Sequence, residues 1–467
     1  MKPLKIQILN RSLWVVLGLV IALVCFGLLQ LIEPVGLAPV RQGSQLLQFS
    51  GRALLVASDA DMVATAYADG RLDRIPNVED ALTSIALPLD FERPIVSSVR
   101  VSNSVMSWPQ IVAVSPDQQH AYVAEVRSHP PDNVQQLSSI EAMPEGEIIT
   151  VVDIANLQQP RVIQTVSMGR NPKHLSISPN GQLLAINLEE AGRELVIAEI
   201  QPDGTLGEMT GFSIAANLPS GVVPEAAIWH PSGNFLALTT TGDDPGNALA
   251  SAVAFYTVTQ SGQAIQIQLY DRPLAVGNHL SHARFTADGR FLLVPDLKWR
   301  MHGLRALNYL LNRRGEMTAI RFEPEQNRPP EVTSRAVVGL GPEGFALSPD
   351  NRLIATVNLR RTYLSPNLPP AWRGKPYSSL SLVQLDPQSG QLTTLEEYGF
   401  EGLLPEQATF DATGDALAVV IYHNREPNPR TGVVEFWNVV SGDPPRLERT
   451  GFRLDVVRGA HDIVLVP

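Results

Sequence analysis

One short segment recurs six times along the chain, and it constrains the fold more than any other feature. It consists of an apolar strand, a tight turn and a second apolar strand. The turns stand at Ser115-Pro116-Asp117, Ser178-Pro179-Asn180-Gly181, His230-Pro231-Ser232-Gly233, Thr286-Ala287-Asp288-Gly289, Ser348-Pro349-Asp350-Asn351 and Asp411-Ala412-Thr413-Gly414, 52 to 63 residues apart. Proline presets φ for such a turn, Asp or Asn bonds its own backbone, and Gly accepts a positive φ. Runs such as Leu183 to Asn187, Phe291 to Val294 and Ala416 to Ile421 follow as second strands. Third strands then end in further turns, placed at Gln201 to Gly204, Gln260 to Gly262, Asn312 to Gly315, Asp386 to Gly390 and Ser441 to Asp443. Four antiparallel strands per unit, repeated at this period, describe the blades of a propeller.

Six turns give six units, and the two ends of the chain supply a seventh. Asp462 to Pro467 reads as a first strand that stops where its turn should begin. The N-terminal part provides the rest: Ala53 to Ala57, then Met62 to Tyr67 with the Asp69-Gly70 turn, then Asp80 to Leu87. The expectation is an all-β, seven-bladed β-propeller over 48–467, closed by N- and C-terminal strands that leave no open edge.

Ahead of it, Leu13 to Ile32 is apolar except for Gln30, long enough as a helix to cross a bilayer core. Lys2, Lys5 and Arg11 precede it, which keeps the N-terminus cytoplasmic and sends the body across. The resulting organisation is a cytoplasmic N-terminus (1–12), one transmembrane helix (13–32), a tether (33–47) and the propeller. That places a single-pass protein in the cytoplasmic membrane with its propeller on the periplasmic side. A signal peptide cleaved after Ala38 would put Pro39 at the first mature position, which such sites rarely tolerate.

Composition narrows the function. A net charge of -11 and the lack of any Lys/Arg-rich run argue against a nucleic-acid partner. The only cysteine, Cys25, lies in the apolar segment, so neither a disulfide nor a cysteine metal site is available to the body. No close His spacing suggests a metal, and no cofactor is expected. Gly339 to Gly344 imitates a dinucleotide fingerprint, but a strand and a turn follow it where a helix would be needed.

In a propeller the residues just before each innermost strand crown one mouth of the central channel. Five residues upstream of the turns stand Gln110, Lys173, Glu225, Ser281, Glu343, Glu406 and His461; four upstream stand Ile111, His174, Ala226, His282, Gly344, Gln407 and Asp462. Lys173, His174, Glu225, His282, Glu343, Glu406 and His461 are therefore the candidate ligand-binding residues of a wet polar funnel. Pro-rich insertions from His129 to Gly146, Arg360 to Tyr377 and His423 to Thr431 are candidate contact loops, one carrying Tyr363, Trp372 and Tyr377. Trp299, Arg300, Arg305, Arg313 and Arg314 form a local basic stretch in an acidic protein.

Several stretches resemble the lactonase-like propellers of the 6-phosphogluconolactonase and YVTN-repeat type. Lys173 to Gly181 is similar to their first strand and turn, Phe291 to Leu297 to their second strand and Asp386 to Leu392 to their third turn. Ala121 to Ala124, Ala185 to Asn187 and Thr356 to Asn358 resemble the YVTN motif itself. The resemblance implies a seven-bladed ring and, for its enzymes, His, Glu and Arg at the mouth. It permits His174 or His282 as a base, Glu225 or Glu343 as its orienting group, and Lys173 or Arg284 as the charge facing an oxyanion. The chain departs from the pattern at Lys298-Trp299-Arg300 and at Pro342-Glu343-Gly344, which lacks an Arg-His pair. The leading expectation is therefore a binding or assembly module for a protein, peptide or envelope ligand, with hydrolysis of a small sugar lactone as the alternative.

Overall fold

The computed structural model describes residues 14–15, 17–22, 35–41, 48–90, 92–214, 218, 222–242, 251–262, 264–299, 312–365, 367–369, 373–424 and 430–467. They form seven antiparallel sheets of at least four strands. Blade one opens with Val112–Val114, blade two with His174–Ile177, blade three with Val222–Trp229, blade four with Arg284–Phe285, blade five with Pro342–Leu347 and blade six with Ala408–Phe410. Second strands are buried on both faces and read as unbroken apolar runs, as in Leu183–Asn187 and Ala416–Ile421. Outermost strands such as Glu331–Val337 alternate between buried and open positions. Burial from both sides removes the need for alternation, so the gradient from centre to rim is written in the side chains. The apolar clusters lie between blades: Leu293, Phe345 and Ile354 join blades four and five, while Phe400, Phe410 and Trp437 join five and six.

The expected turns all form at one end of the ring. In blade two the Ser178 hydroxyl donates to Asn180 at 2.7 Å and accepts from the Leu183 amide at 2.9 Å, with Gly181 at φ 72°. Ser348 and Asp350 repeat this at 2.6 Å, and Thr286 with Asp288 at 2.6 Å.

Closure is as expected. Ala460–Val466 pairs with Ala53–Ser58, from Ala53 opposite Val466 to Ala57 opposite Asp462, and Ala81–Ala86 and Val96–Arg100 complete blade seven. Met62 to Tyr67, expected as a strand of this blade, is not one. The chain leaves the sheet at Ser58 and returns at Ala81, with a short helix Ala66–Asp69 between. Its alternating apolar residues are buried elsewhere, against insertions from other blades. Asn312 to Gly315 is likewise not the turn after blade four's third strand. It precedes that strand, Glu316–Arg321, and the turn lies at Pro324–Gln326.

Residues 35–41 of the expected tether dock on the rim. Leu37 bridges Gly399 of blade five and Val40 bridges Arg449 of blade six. Ala38 N–H donates to the Gly399 carbonyl at 2.8 Å, Arg41 N–H to the Arg449 carbonyl at 3.2 Å, and Arg41 pairs with Glu448 at 3.0 Å. This strap begins beside Lys375 and Tyr377, which both donate to the Val35 carbonyl. By Ser50 the chain has reached the opposite end of the ring, where its N–H bonds Asp411 of blade six's turn. Of the apolar segment 13–32, residues 14–15 and 17–22 are helical and the rest lies outside the described residues. Among the described residues no helix is long and apolar enough to cross a membrane.

Candidate functional site

The end of the ring opposite the turns carries the starts of the innermost strands, and here the expected polar ring assembles. Most of its members touch a neighbour. His174 of blade two lies 2.7 Å from the Gln110 side chain of blade one, whose amide oxygen accepts from Nε2. Asp462 of the closing strand accepts from the Gln110 and Val112 amides at 3.1 and 3.0 Å, locking blade seven to blade one. Lys173 pairs with Glu225 of blade three at 3.1 Å and with Glu189 at 2.6 Å. His461 Nε2 donates to the Asn103 side-chain oxygen at 2.8 Å, with Glu406 at 3.9 Å. His282 stacks on Phe345, ring centres 4.9 Å apart.

The ring is not a wet funnel. Lys173, His174, Glu225, His282, Glu343, Glu406 and His461 are each no more than 8% exposed. A second apolar core covers them. It is built from Met62, Ala64 and Leu72 of blade seven's insertion, Ile140 and Met143 of blade one's, Tyr363 and Leu364 of blade five's, and Leu404 and Tyr422. An aromatic row, Trp108, His279, Trp299 and Tyr363, extends this cap with centres 5.3 to 6.4 Å apart. Trp108 comes from the link between blades seven and one, yet its indole N–H donates to Glu225 of blade three at 3.2 Å. It therefore reaches across part of the mouth.

Carboxylates latch blade seven's insertion to the ring. Asp59 accepts from the Asp61 and Val105 amides at 2.9 Å each, and Asp80 from the Ala60 and Asn103 amides at 2.8 and 3.2 Å. Arg458 donates to the carbonyls of Met62, Leu72 and Asp73. Asp59, Asp61 and Asp80 are close enough together to hold a cation. Their hydrogen bonds give Asp59 and Asp80 a structural role, and Asp61 pairs with His129.

Burial dominates the electrostatics of the ring. It pushes the Glu343 carboxyl up to about 8, Asp462 to about 6 and Glu406 well above the usual range, where Glu343 and Asp462 add repulsion. It pulls His174 and His461 down to about 3, and His282 well below its ordinary value. Lys173 differs: burial lowers it, but Glu225 and Glu189 outweigh burial and lift it. At neutral pH the ring therefore holds uncharged imidazoles beside the protonated carboxyls of Glu343 and Glu406. Glu343 Oε2, both Glu406 oxygens and both His282 nitrogens have no hydrogen-bond partner among the described residues.

The expected base and orienter are not joined through their side chains. His174 is engaged by Gln110, and Glu225 by Lys173 and Trp108. Among the described residues no side-chain hydrogen bond joins either candidate histidine to the Glu225 or Glu343 carboxyl, and His282 approaches only the backbone of Glu343. Of the loop aromatics, Tyr363 and Tyr377 are buried and so offer no contact surface, and Trp372 lies outside the described residues. Sequence reasoning missed Trp108, whose only signal is a bulky aromatic just before an innermost strand. A separate groove of about 520 Å³ lies at the rim between blades six and seven, lined by Asp80, Arg100, Arg430 and Asp455 among others; no ring histidine lines it.

No family model matches the sequence, and no curated protein matches it. Solved structures do. A periplasmic gluconolactonase of Pseudomonas aeruginosa is 18% identical, with 90% of this chain and 100% of that one covered at a TM-score of 0.58. A putative 6-phosphogluconolactonase of Bacteroides uniformis is 14% identical over 89% and 100% at 0.57, and one of Bacteroides fragilis 14% over 90% and 98% at 0.57. At such identity the likeness concerns architecture: the chain has the seven-bladed fold of the 6-phosphogluconolactonase-like propellers.

Proposed function

We propose that this chain is a membrane-anchored, periplasmic propeller whose capped mouth binds a small polar molecule. The observation that carries this reading is the buried ring with orphaned polar atoms on His282, Glu343 and Glu406. Neutral imidazoles and protonated carboxyls offer donors and acceptors without an unpaired charge, which suits the hydroxyls of an uncharged, sugar-like ligand. The cap argues against a protein or peptide at this ring, since either would have to displace a packed apolar core. The anchor rests on the apolar run Leu13 to Ile32 and the cations before it.

The test is calorimetric titration of the full chain in detergent with neutral sugars, sugar lactones and sugar acids. A neutral sugar or lactone should bind, and Glu406→Ala should abolish the heat. Absence of binding across the panel sinks the reading. Carbonate extraction of membranes tests the anchor separately, and release of the protein into the soluble fraction would overturn it.

One observation favours lactone hydrolysis as a second reading. A proton acceptor, neutral His174, and a proton donor, protonated Glu343, share a ring with the Arg284 cation, which acts on both histidines. Groups whose pKa values are pushed apart can serve as base and acid in one step. Proton release from gluconolactone, lost in His174→Asn, would support it; a rate equal to the buffer's would exclude it for that substrate.

A further inference from the structure

The mouth end of the ring is divided electrically into two arcs. Strands two and three of each blade connect at this end, so the charges of those connections fall on one face of the ring. Among the described residues, the connections of blades four to six carry Arg313, Arg314, Arg373, Lys375 and Arg430, exposed or half-buried, and no carboxylate. Next round the ring, those of blades seven and one carry exposed Asp73, Glu79, Asp132, Glu141, Glu145 and Glu147 against one exposed cation, Arg71. In a protein of net charge -11 the basic arc is the exception.

The strap fixes where the N-terminal segment departs. Val35 sits against Lys375 and Tyr377 at the mouth-side end of blade five's third strand, in the middle of the basic arc. Only Glu33 and Pro34 separate it from Ile32, the last apolar residue, a reach of about 10 Å. If the apolar run spans the bilayer, the basic arc must lie beside the headgroups. The acidic arc would be repelled by an anionic leaflet.

We infer that the mouth-side connections of blades four to six form a docking rim for anionic lipid headgroups, turning the capped mouth towards the membrane. This rests on the anchor reading. Each surface cation near an anionic leaflet strengthens attraction about fivefold, and salt screens it.

The test uses the full chain with Cys25→Ser, reconstituted in phosphatidylcholine vesicles with or without phosphatidylglycerol. A donor dye is placed at Asn367→Cys, in blade five's mouth-side connection, or at Ser441→Cys, in blade six's turn, with acceptor dyes on the headgroups. Energy transfer should be stronger from position 367 than from 441, should rise with phosphatidylglycerol, and should lose that rise in Arg313→Glu/Arg430→Glu. If the chain does not remain with the vesicles, the anchor reading falls and this inference with it. If it remains but position 441 transfers as well as 367, only the orientation is overturned. If transfer from 367 ignores both phosphatidylglycerol and the charge reversals, the lipid rim is overturned.

Discussion

The two ends of the ring are built on opposite plans. At the turn end, four of the six turns close with the same few atoms, a Ser or Thr hydroxyl bonded to an Asp or Asn two residues on. His230 with Ser232 and Asp411 with Thr413 take those places in blades three and six, and all six turns carry a residue at positive φ. At the mouth end no two connections are alike, and insertions from four blades meet in one apolar cap. The difference separates what holds a blade from what distinguishes this protein. Turn geometry is local and can be repeated, whereas the cap exists only when distant insertions find each other.

The severest way to break this comparison is to delete residues 460–467. The deletion removes the closing strand, the ring members His461 and Asp462, and buried Ala460, Ile463 and Val466. At about 1.5 to 3 kcal/mol for each large apolar side chain, plus an unpaired edge, the loss is about 5 kcal/mol or more. The truncated protein should aggregate or melt far below the full chain in a thermal scan, and an unchanged midpoint would refute closure.

Acidity should act on the mouth and spare the turns. Folding raises Glu343 from 4.5 to about 8 and Asp59 from 3.8 to about 7, so each lends stability that is whole below its unfolded value. That stability is lost as pH rises through the folded value. His174, drawn from 6.5 down to about 3, works in reverse and costs stability as pH falls through that window. Melting should therefore decline between about pH 6 and about pH 9, by on the order of a few kcal/mol in free energy. Glu343→Gln should flatten the decline, and a variant with the wild-type slope would show that Glu343 is not its source.

Gly459, which leads from Arg458 into the closing strand, has φ +83°, and a Cβ there would lie 1.6 Å from the Asp59 carbonyl. Gly459→Val should cost about 2 kcal/mol or more in denaturant titration. A smaller loss is expected from removing residues 1–41: the strap's backbone bonds and its salt bridge to Glu448 are worth about 1 to 2 kcal/mol together. No change in the midpoint would mean that the strap stays on the rim without holding it. The least effect belongs to the turn end, where Ser348→Ala removes one hydroxyl from a single blade and should cost about 1 kcal/mol.

The same division decides what could be read from the residues. Ser178-Pro179-Asn180-Gly181 announces its hairpin because every partner lies within five residues, and Asp462 announces closure because half a repeat needs its other half. The ring positions of His174, Glu343 and Glu406 followed from counting back from those turns. Their burial did not, because the cap joins Met62, Ile140 and Tyr363, which no period relates. Met62 to Tyr67 shows the cost: its apolar alternation is real but records burial in the cap, with no neighbouring strand to pair. Trp108 escaped for the same reason, its partner Glu225 lying in another blade.

The closing pair also sets a timetable. Ala460–Val466 is made long after its partner, Ala53–Ser58. At about 5 to 20 residues per second, a separation of this size amounts to tens of seconds of synthesis. Through that interval the first strand presents a bare hydrogen-bonding edge that a neighbouring nascent chain could take. Assembly of this protein is therefore a race between finishing the last strand and losing the first one to another molecule, and the organism's rate of elongation becomes a determinant of yield.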